Sequence, residues 1–218
     1  MSVVIVDYGS GNLRSAAKAF ERAASESSLN MPIKVTAAPK DIAQASHVVL
    51  PGVGAYADCR AGLGAIPGMI EALAEHAIQK ARPFLGICVG MQLMAEAGFE
   101  HGRTDGLGWI KGEVRALKPA PNPDGRPLKV PHMGWNRLGF PHPGHPLLDA
   151  MGSEPYVYFV HGYHMQLRNP DETLAETDYG GSITAMIGRD NLAGTQFHPE
   201  KSQTAGLRLI ANFLAWRP

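Results

Sequence analysis

Hydrophobic and polar positions along the first half of the chain alternate between two periods. Val3–Val6 is an unbroken apolar run closed by Tyr8-Gly9-Ser10-Gly11-Asn12, and it predicts a strand buried on both faces. Leu13, Ala16, Ala17 and Phe20 then recur at helical spacing, predicting a helix over residues 13–24. The pattern repeats with a strand over 34–38, a short helix over 41–45 and a third strand over 47–50, halted by Pro51-Gly52. Residues 69–80 predict a helix with Ile70, Leu73, Ala74, Ala77 and Ile78 on its inner face. A fourth strand over 84–87 runs directly into Cys88, and a helical pattern follows over 89–97. Strands alternating with helices predict an α/β fold, three layers deep, with a mostly parallel central sheet and helices on both faces.

The second half changes character. Residues 119–131 hold five prolines and read as loop, as does His142-Pro143-Gly144-His145-Pro146. Residues 156–160 predict an aromatic, β-branched strand. Residues 173–197 predict antiparallel hairpins, with turns at Tyr179-Gly180-Gly181 and Arg189-Asp190-Asn191. An amphipathic helix over 204–216 closes the chain, with Leu207, Ile210, Ala211 and Leu214 inward. With no internal repeat and no low-complexity linker, residues 1–218 read as one domain.

Composition narrows the function. Lys+Arg and Asp+Glu are each 20, so the formal net charge is zero, which removes the electrostatic case for a nucleic-acid partner. No apolar stretch is long enough to predict a membrane span, and the N-terminus reads as a strand, not a signal peptide. Two cysteines, Cys59 and Cys88, do not make a disulfide framework, so the expected location is the reducing cytoplasm. Glycine and proline together supply 42 of the 218 residues, an excess that predicts many tight loops.

The chemistry centres on Gly86-Ile87-Cys88-Val89-Gly90. Glycines flanking a nucleophile at a strand-to-helix junction are the elbow arrangement, in which the sharp turn crowds its neighbours and exposes the reacting atom. A helix N-terminus also favours negative charge on the thiol. Acyl transfer needs a base and an orienting group besides. Gln196-Phe197-His198-Pro199-Glu200 offers both, with His198 exchanging a proton with the thiol and Glu200 holding the imidazole. Pro51-Gly52-Val53-Gly54 ends the third strand, where backbone N–H groups of Gly52, Val53 and Gly54 would meet a developing oxyanion together with the N–H of Val89. Gln92 stands one helical turn after Cys88, placed to reach a bound ligand.

Together with Met91-Gln92 and Lys201-Ser202, which extend the cysteine and histidine motifs, these segments resemble the triad class (class I) of glutamine amidotransferases. Three further segments narrow the resemblance: Asp7-Tyr8-Gly9-Ser10-Gly11-Asn12-Leu13, Pro131-His132-Met133-Gly134-Trp135-Asn136 and Tyr158-Phe159-Val160-His161-Gly162-Tyr163. As a set they are similar to the branch of the class that forms the glutaminase subunits of imidazole glycerol phosphate synthases, in histidine biosynthesis. The resemblance implies a flavodoxin-like fold and hydrolysis of L-glutamine to glutamate and ammonia through a glutamyl thioester on Cys88, without a cofactor or metal. It also implies that Gln92 and Glu100 hold the ends of the substrate, helped by the backbone around Gly162 and Tyr163. Val89 stands where leucine is commoner in the family, and Gly162 removes a side chain near the substrate.

Ammonia is a nucleophile only when unprotonated, so releasing it into neutral water would waste glutamine. The resemblance implies a receiving partner, a (β/α)8-barrel cyclase subunit forming a heterodimer, with Asn12, Trp135, Tyr158 and Lys201 facing it. It further implies a glutaminase nearly silent until the cyclase site is occupied, and the two glycines of Pro51-Gly52-Val53-Gly54 would let that segment hold either of two backbone states. Other readings are a glutaminase for a different pathway, a cysteine peptidase on the same elbow and a scaffold subunit without activity. Gly9-Ser10-Gly11 lacks the third glycine of a dinucleotide fingerprint, with Arg14 in its place. The spacings His161-x-x-His164 and His142-x-x-His145 come without a cysteine pair that would make them a zinc site.

Overall fold

Three unbroken apolar runs become the centre of the molecule. The computed structural model describes all 218 residues. In chain order it places β1 (Val3–Val6), α1 (Leu13–Glu26), β2 (Ile33–Thr36), α2 (Pro39–Gln44), β3 (His47–Gly52), α3 (Tyr56–Ala65), α4 (Met69–Ala74), β4 (Phe84–Cys88) and α5 (Val89–Gln92). Short strands follow: β5 (Ala97–Gly98), β6 (Thr104–Asp105), β7 (Gly112–Ala116), β8 (His132–Arg137), β9 (Tyr156–His161) and β10 (Tyr163–Leu167). The chain ends with β11 (Thr173–Asp178), β12 (Ser182–Arg189), β13 (Leu192–Thr195) and α6 (Gln203–Ala215).

The main sheet has seven strands in the order β11-β12-β13-β4-β3-β1-β2. The five strands from β13 to β2 are parallel, and β12 and β11 add the expected antiparallel hairpins at one edge. Every residue of β1, β3 and β4 is buried, as strands covered on both faces require. One helical layer joins α1 to α6, and the other joins α2, α3 and α4. Phe20 of α1 meets Phe213 of α6 edge to face at 6.3 Å, and burying each ring stabilises the fold by about 1.5–3 kcal/mol. No helix is long and apolar enough to cross a membrane.

β4 lies at the middle of the sheet, and its C-terminal end opens beside the point where strand order reverses around β1 and β3. Ligands of open α/β sheets bind at such ends. Two smaller sheets close that end: the four strands β10-β7-β5-β6 and the two-stranded ribbon β8-β9.

Several elements depart from the sequence pattern. The third strand continues through Pro51 and Gly52, registered against Ile87 and Cys88. The helix predicted over 69–80 widens into a π turn at Glu75–Gln79, closed by Lys80 N–H donating to the Glu75 carbonyl at 2.9 Å. The buried face is Met69, Ala72, Leu73, His76 and Ala77, helically spaced but one residue before the expected one, with Ile78 46% exposed. The helix after Cys88 stops at Gln92, because Ala97 and Gly98 are drawn into pairing with β6 and β7. In α6 the inner face is Gly206, Leu209, Ile210, Phe213 and Leu214, with Leu207 and Ala211 only half-buried. α3, the strands β5 to β8 and β10 are additional to the elements expected from sequence, although residues 112–116 and 163–167 alternate apolar or small with polar positions.

Candidate active site

Cys88 sits where β4 ends and α5 begins, with φ 54° and ψ −111°. A positive φ at a non-glycine residue is strained, and the surrounding packing holds it there. That packing explains the glycines. A Cβ on Gly86 would meet the backbone of Gly90 and Met91 within 2.7 Å, and one on Gly90 would overlap the Leu50 carbonyl oxygen of β3. The elbow closes only because neither residue has a side chain.

His198 and Glu200 lie in the turn between β13 and α6, both nearly fully buried. Glu200 Oε1 contacts His198 Nδ1 at 2.8 Å, which orients the ring and leaves Nε2 buried without a hydrogen bond of its own. Burial alone lowers the His198 pKa, but the nearby Cys88 sulfur and the hydrogen-bonded Glu200 carboxylate outweigh it and push the imidazole up to about 9. His198 is therefore protonated at neutral pH.

A cavity of about 330 Å³ opens over the sulfur. Its walls bring together Cys88, Val89, His198, Gln92, Glu100, Val53 and Gly54, with Gly162 and Tyr163 opposite. Gln92 is buried and its amide nitrogen donates to the Tyr163 carbonyl and to Gln196 Oε1, each at 3.0 Å, so its oxygen remains for a ligand. Glu100 accepts a hydrogen bond from Tyr56 N–H at 2.7 Å at the start of α3, so it is tied to the fold and lines the cavity as well. Gln196 Nε2 lies 3.7 Å from the Cys88 sulfur, a contact the sequence did not single out.

The oxyanion segment differs from expectation. Gly52 stands opposite Cys88 in the β3–β4 register. The Val53 N–H, however, donates to Ser10 Oγ at 3.0 Å, and the Ser10 hydroxyl donates back to the Val53 carbonyl at 2.6 Å. In this conformation Val53 lines the cavity while its N–H is engaged elsewhere. The hydroxyl responsible comes from the loop after β1, which sequence spacing does not connect to residue 53.

The remaining sequence candidates lie on the outside. Trp135 is 45% exposed. Its ring meets the half-buried Tyr158 edge to face at 5.9 Å, and Lys201 Nζ lies 5.7 Å from the centre of the Tyr158 ring. Asn12 caps α1 without using its side chain, and α1 packs against the Pro199–Lys201 turn. His161, Val160 and Pro131 also line the cavity and had no role assigned from sequence. Their signal was present in the two histidine-containing segments that distinguish the chain. His161 does not pair with His164; its ring nitrogen lies 3.1 Å from His132 across the ribbon.

The family model of class-I glutamine amidotransferases matches residues 4–216. A Rhodospirillum rubrum protein named imidazole glycerol phosphate synthase subunit HisH is 60% identical over 218 residues, with both chains covered in full. A Brucella suis protein of the same name is 57% identical over 221 residues, again covering both chains. Among solved structures, a glutamine amidotransferase superposes with a TM-score of 0.70 at 18% identity, covering 97% of each chain, which speaks for the fold alone.

Proposed function

The chain belongs to the class-I glutamine amidotransferase family, and from that premise we propose that it is the glutaminase subunit of an imidazole glycerol phosphate synthase, a glutamine-hydrolysing enzyme of histidine biosynthesis. The observation that carries the reaction is the meeting, in one cavity, of a strained cysteine, a histidine oriented by a carboxylate, and the polar groups of Gln92 and Glu100. L-Glutamine lies with its side-chain amide over Cys88 and its charged end toward Gln92, Glu100 and the Gly162–Tyr163 backbone. The sulfur attacks the carboxamide carbon and an S–C bond forms. His198 Nε2 gives its proton to the leaving nitrogen, the C–N bond breaks and ammonia departs. Water then loses a proton to His198 and attacks the thioester, releasing glutamate and restoring the thiol. Glu200 keeps the ring aligned through both halves.

Negative charge on the carbonyl oxygen calls for donors from Val89 and from the Gly52–Gly54 segment. For Val53 to serve, its N–H must leave Ser10, which suits an enzyme that rests until called upon. The ammonia goes to a cyclase subunit, a (β/α)8 barrel, seated against Asn12, Trp135, Tyr158 and Lys201. The two free, buried cysteines support a reducing, cytoplasmic setting.

The test combines the purified chain with a cyclase subunit and its ribonucleotide substrate and measures glutamate release. Glutamate should appear much faster in the complete mixture than from the chain alone. Cys88→Ala should abolish glutamine-dependent turnover, a loss of at least about a thousandfold, while ammonia-dependent synthesis by the complex persists. Undiminished glutamine turnover in Cys88→Ala would overturn the nucleophile.

A further inference from the structure

The β8–β9 ribbon buries two histidines edge to face, 5.1 Å apart, and neither belongs to the triad. His132 and His161 are cross-strand partners, 3% and 5% exposed. Burial lowers both pKa values, His132 to about 4 and His161 to about 3, so both rings are neutral at pH 7. A neutral imidazole donates through one nitrogen and accepts through the other, which lets the hydrogen bonds be followed in order.

Asn136 supplies the starting direction. Its Oδ1 accepts from the Arg137 N–H at 2.8 Å, so the other end is the NH2 group, which donates to the Asp178 carbonyl at 2.9 Å and faces His132 Nε2 at 3.4 Å. His132 Nε2 is then the acceptor and Nδ1 carries the proton. Nδ1 donates to His161 Nε2 at 3.1 Å, which leaves His161 Nδ1 to donate to the Tyr163 carbonyl at 2.9 Å. The same carbonyl accepts from Gln92 at 3.0 Å, and Gln92 continues to Gln196, whose amide reaches the Cys88 sulfur. One unbroken sequence of contacts thus joins the ribbon to the nucleophile, with one donor direction permitted at each ring. The His132 ring is also clamped, stacked on Tyr179 at 3.9 Å and on Phe159 at 4.7 Å.

We propose that His132 is a positioning residue for the glutamine cavity. Acting through His161, it fixes the Tyr163 carbonyl and with it the side-chain amide of Gln92. No proton moves along the series; its work is orientation. An apolar pair would fill this space more cheaply, since every buried polar nitrogen must be satisfied. The arrangement is explained by what the last members hold, the wall on which the substrate lies. The inference rests on the glutaminase reading for its kinetic consequence but not for its hydrogen-bond order.

Two measurements separate the possibilities. In the complex with the cyclase, His132→Phe keeps the stacking and removes both hydrogen bonds. It should raise the KM for glutamine about tenfold while kcat changes by less than about threefold. His132→Asn, which again offers one donor and one acceptor, should return KM to within about threefold of the wild type. Asn136→Ala, cut at the half-buried outer end, should shift KM in the same direction by a smaller factor. Wild-type KM in both His132→Phe and Asn136→Ala would overturn the proposal. Nitrogen NMR of the isolated chain reads the order directly: both His132 and His161 should be neutral with the proton on Nδ1. An Nε2–H tautomer at His132 would overturn the proposal even if no glutamine were turned over, whereas an inactive wild-type complex with the expected tautomers would count against the glutaminase reading alone.

Discussion

His198 and His161 line the same cavity, and burial acts on both in the same direction, yet they end in opposite charge states. His198 is pushed up to about 9, because the Cys88 sulfur and the Glu200 carboxylate outweigh the burial that lowers it. His161 falls to about 3, because burial is opposed only by the Tyr163 carbonyl, and its other neighbours His132, His164 and His198 lower it further. The difference lies in the company each ring keeps. At His198 the Cys88 sulfur and a carboxylate at 2.8 Å overcome burial, whereas the neighbour 3.1 Å from His161 is a neutral imidazole and burial prevails. One wall of the cavity therefore holds a proton for the chemistry, and the opposite wall holds a fixed, neutral shape.

Removing the carboxylate tests the first half of that contrast and carries the largest expected effect. Glu200→Gln removes the carboxylate charge that opposes burial and replaces one of its oxygens with an NH2 donor, so the ring loses its proton at a lower pH and its orientation is no longer fixed by an acceptor-only partner. Glutamine-dependent kcat should fall roughly 10²- to 10⁴-fold, measured as glutamate release in the complex. Stability changes with it. The raised His198 pKa means that the stabilisation is fully present below about pH 6.5 and is lost as pH rises through about 9. The melting temperature of the wild type should therefore decline over that interval, and Glu200→Gln should flatten the decline. A variant with wild-type kcat and an unchanged pH profile would show that Glu200 does not govern the ring.

The charged wall was legible in the sequence and the neutral one was not, for a physical reason. The elbow is local: an apolar strand, two glycines and a cysteine within five residues specify a backbone turn, and His198 and Glu200 are two residues apart. Gln92 also follows from helical spacing, since it falls inside the short α5. The neutral wall depends on register between strands. His132 and His161 meet only because β8 and β9 pair in one particular alignment, and neither strand alone shows which of its residues face inward. Ser10 reaches Val53 across a gap of 43 residues, through a hydroxyl that a loop reading treats as turn chemistry. Over residues 69–80 two apolar sets at helical spacing lie one residue apart, and only the packing of the fold selects Met69, Ala72, Leu73, His76 and Ala77 as the inner one. Periodicity reports what a regular element would bury; bulges, registers and side-chain contacts between loops lie outside it.

Giving the neutral wall a carboxylate sharpens the contrast, with a smaller effect. Asn136→Asp places a charged oxygen where an amide now faces His132 Nε2 at 3.4 Å. If company decides charge, His132 should gain proton affinity by roughly tenfold or more, followed by NMR titration of its ring. A protonated His132 no longer accepts at Nε2 but still donates to His161, so KM for glutamine should rise only about threefold. A His132 that titrates as in the wild type would break the comparison, since burial would then be deciding the outcome by itself.

The smallest effect is expected on the other face of the same ribbon. Side chains alternate along a strand, so Trp135 and Tyr158 point outward while His132, Asn136, Phe159 and His161 point in. Trp135→Ala removes a ring that is 45% exposed and touches Tyr158 at its edge. It should cost the isolated chain about 1 kcal/mol or less, a shift of about 2–4 °C in melting temperature. Because no member of the hydrogen-bonded series is altered, KM for glutamine in the saturated complex should stay within about twofold of the wild type. Affinity for the cyclase should instead fall about tenfold or more, as for an aromatic anchor at an interface, measured by titration calorimetry. The pair of results matters more than either alone. A weakened complex with an intact KM would assign recognition to the outer face and substrate positioning to the inner one, whereas a KM that rose along with the loss of affinity would mean that the ribbon transmits strain between its faces as a single body.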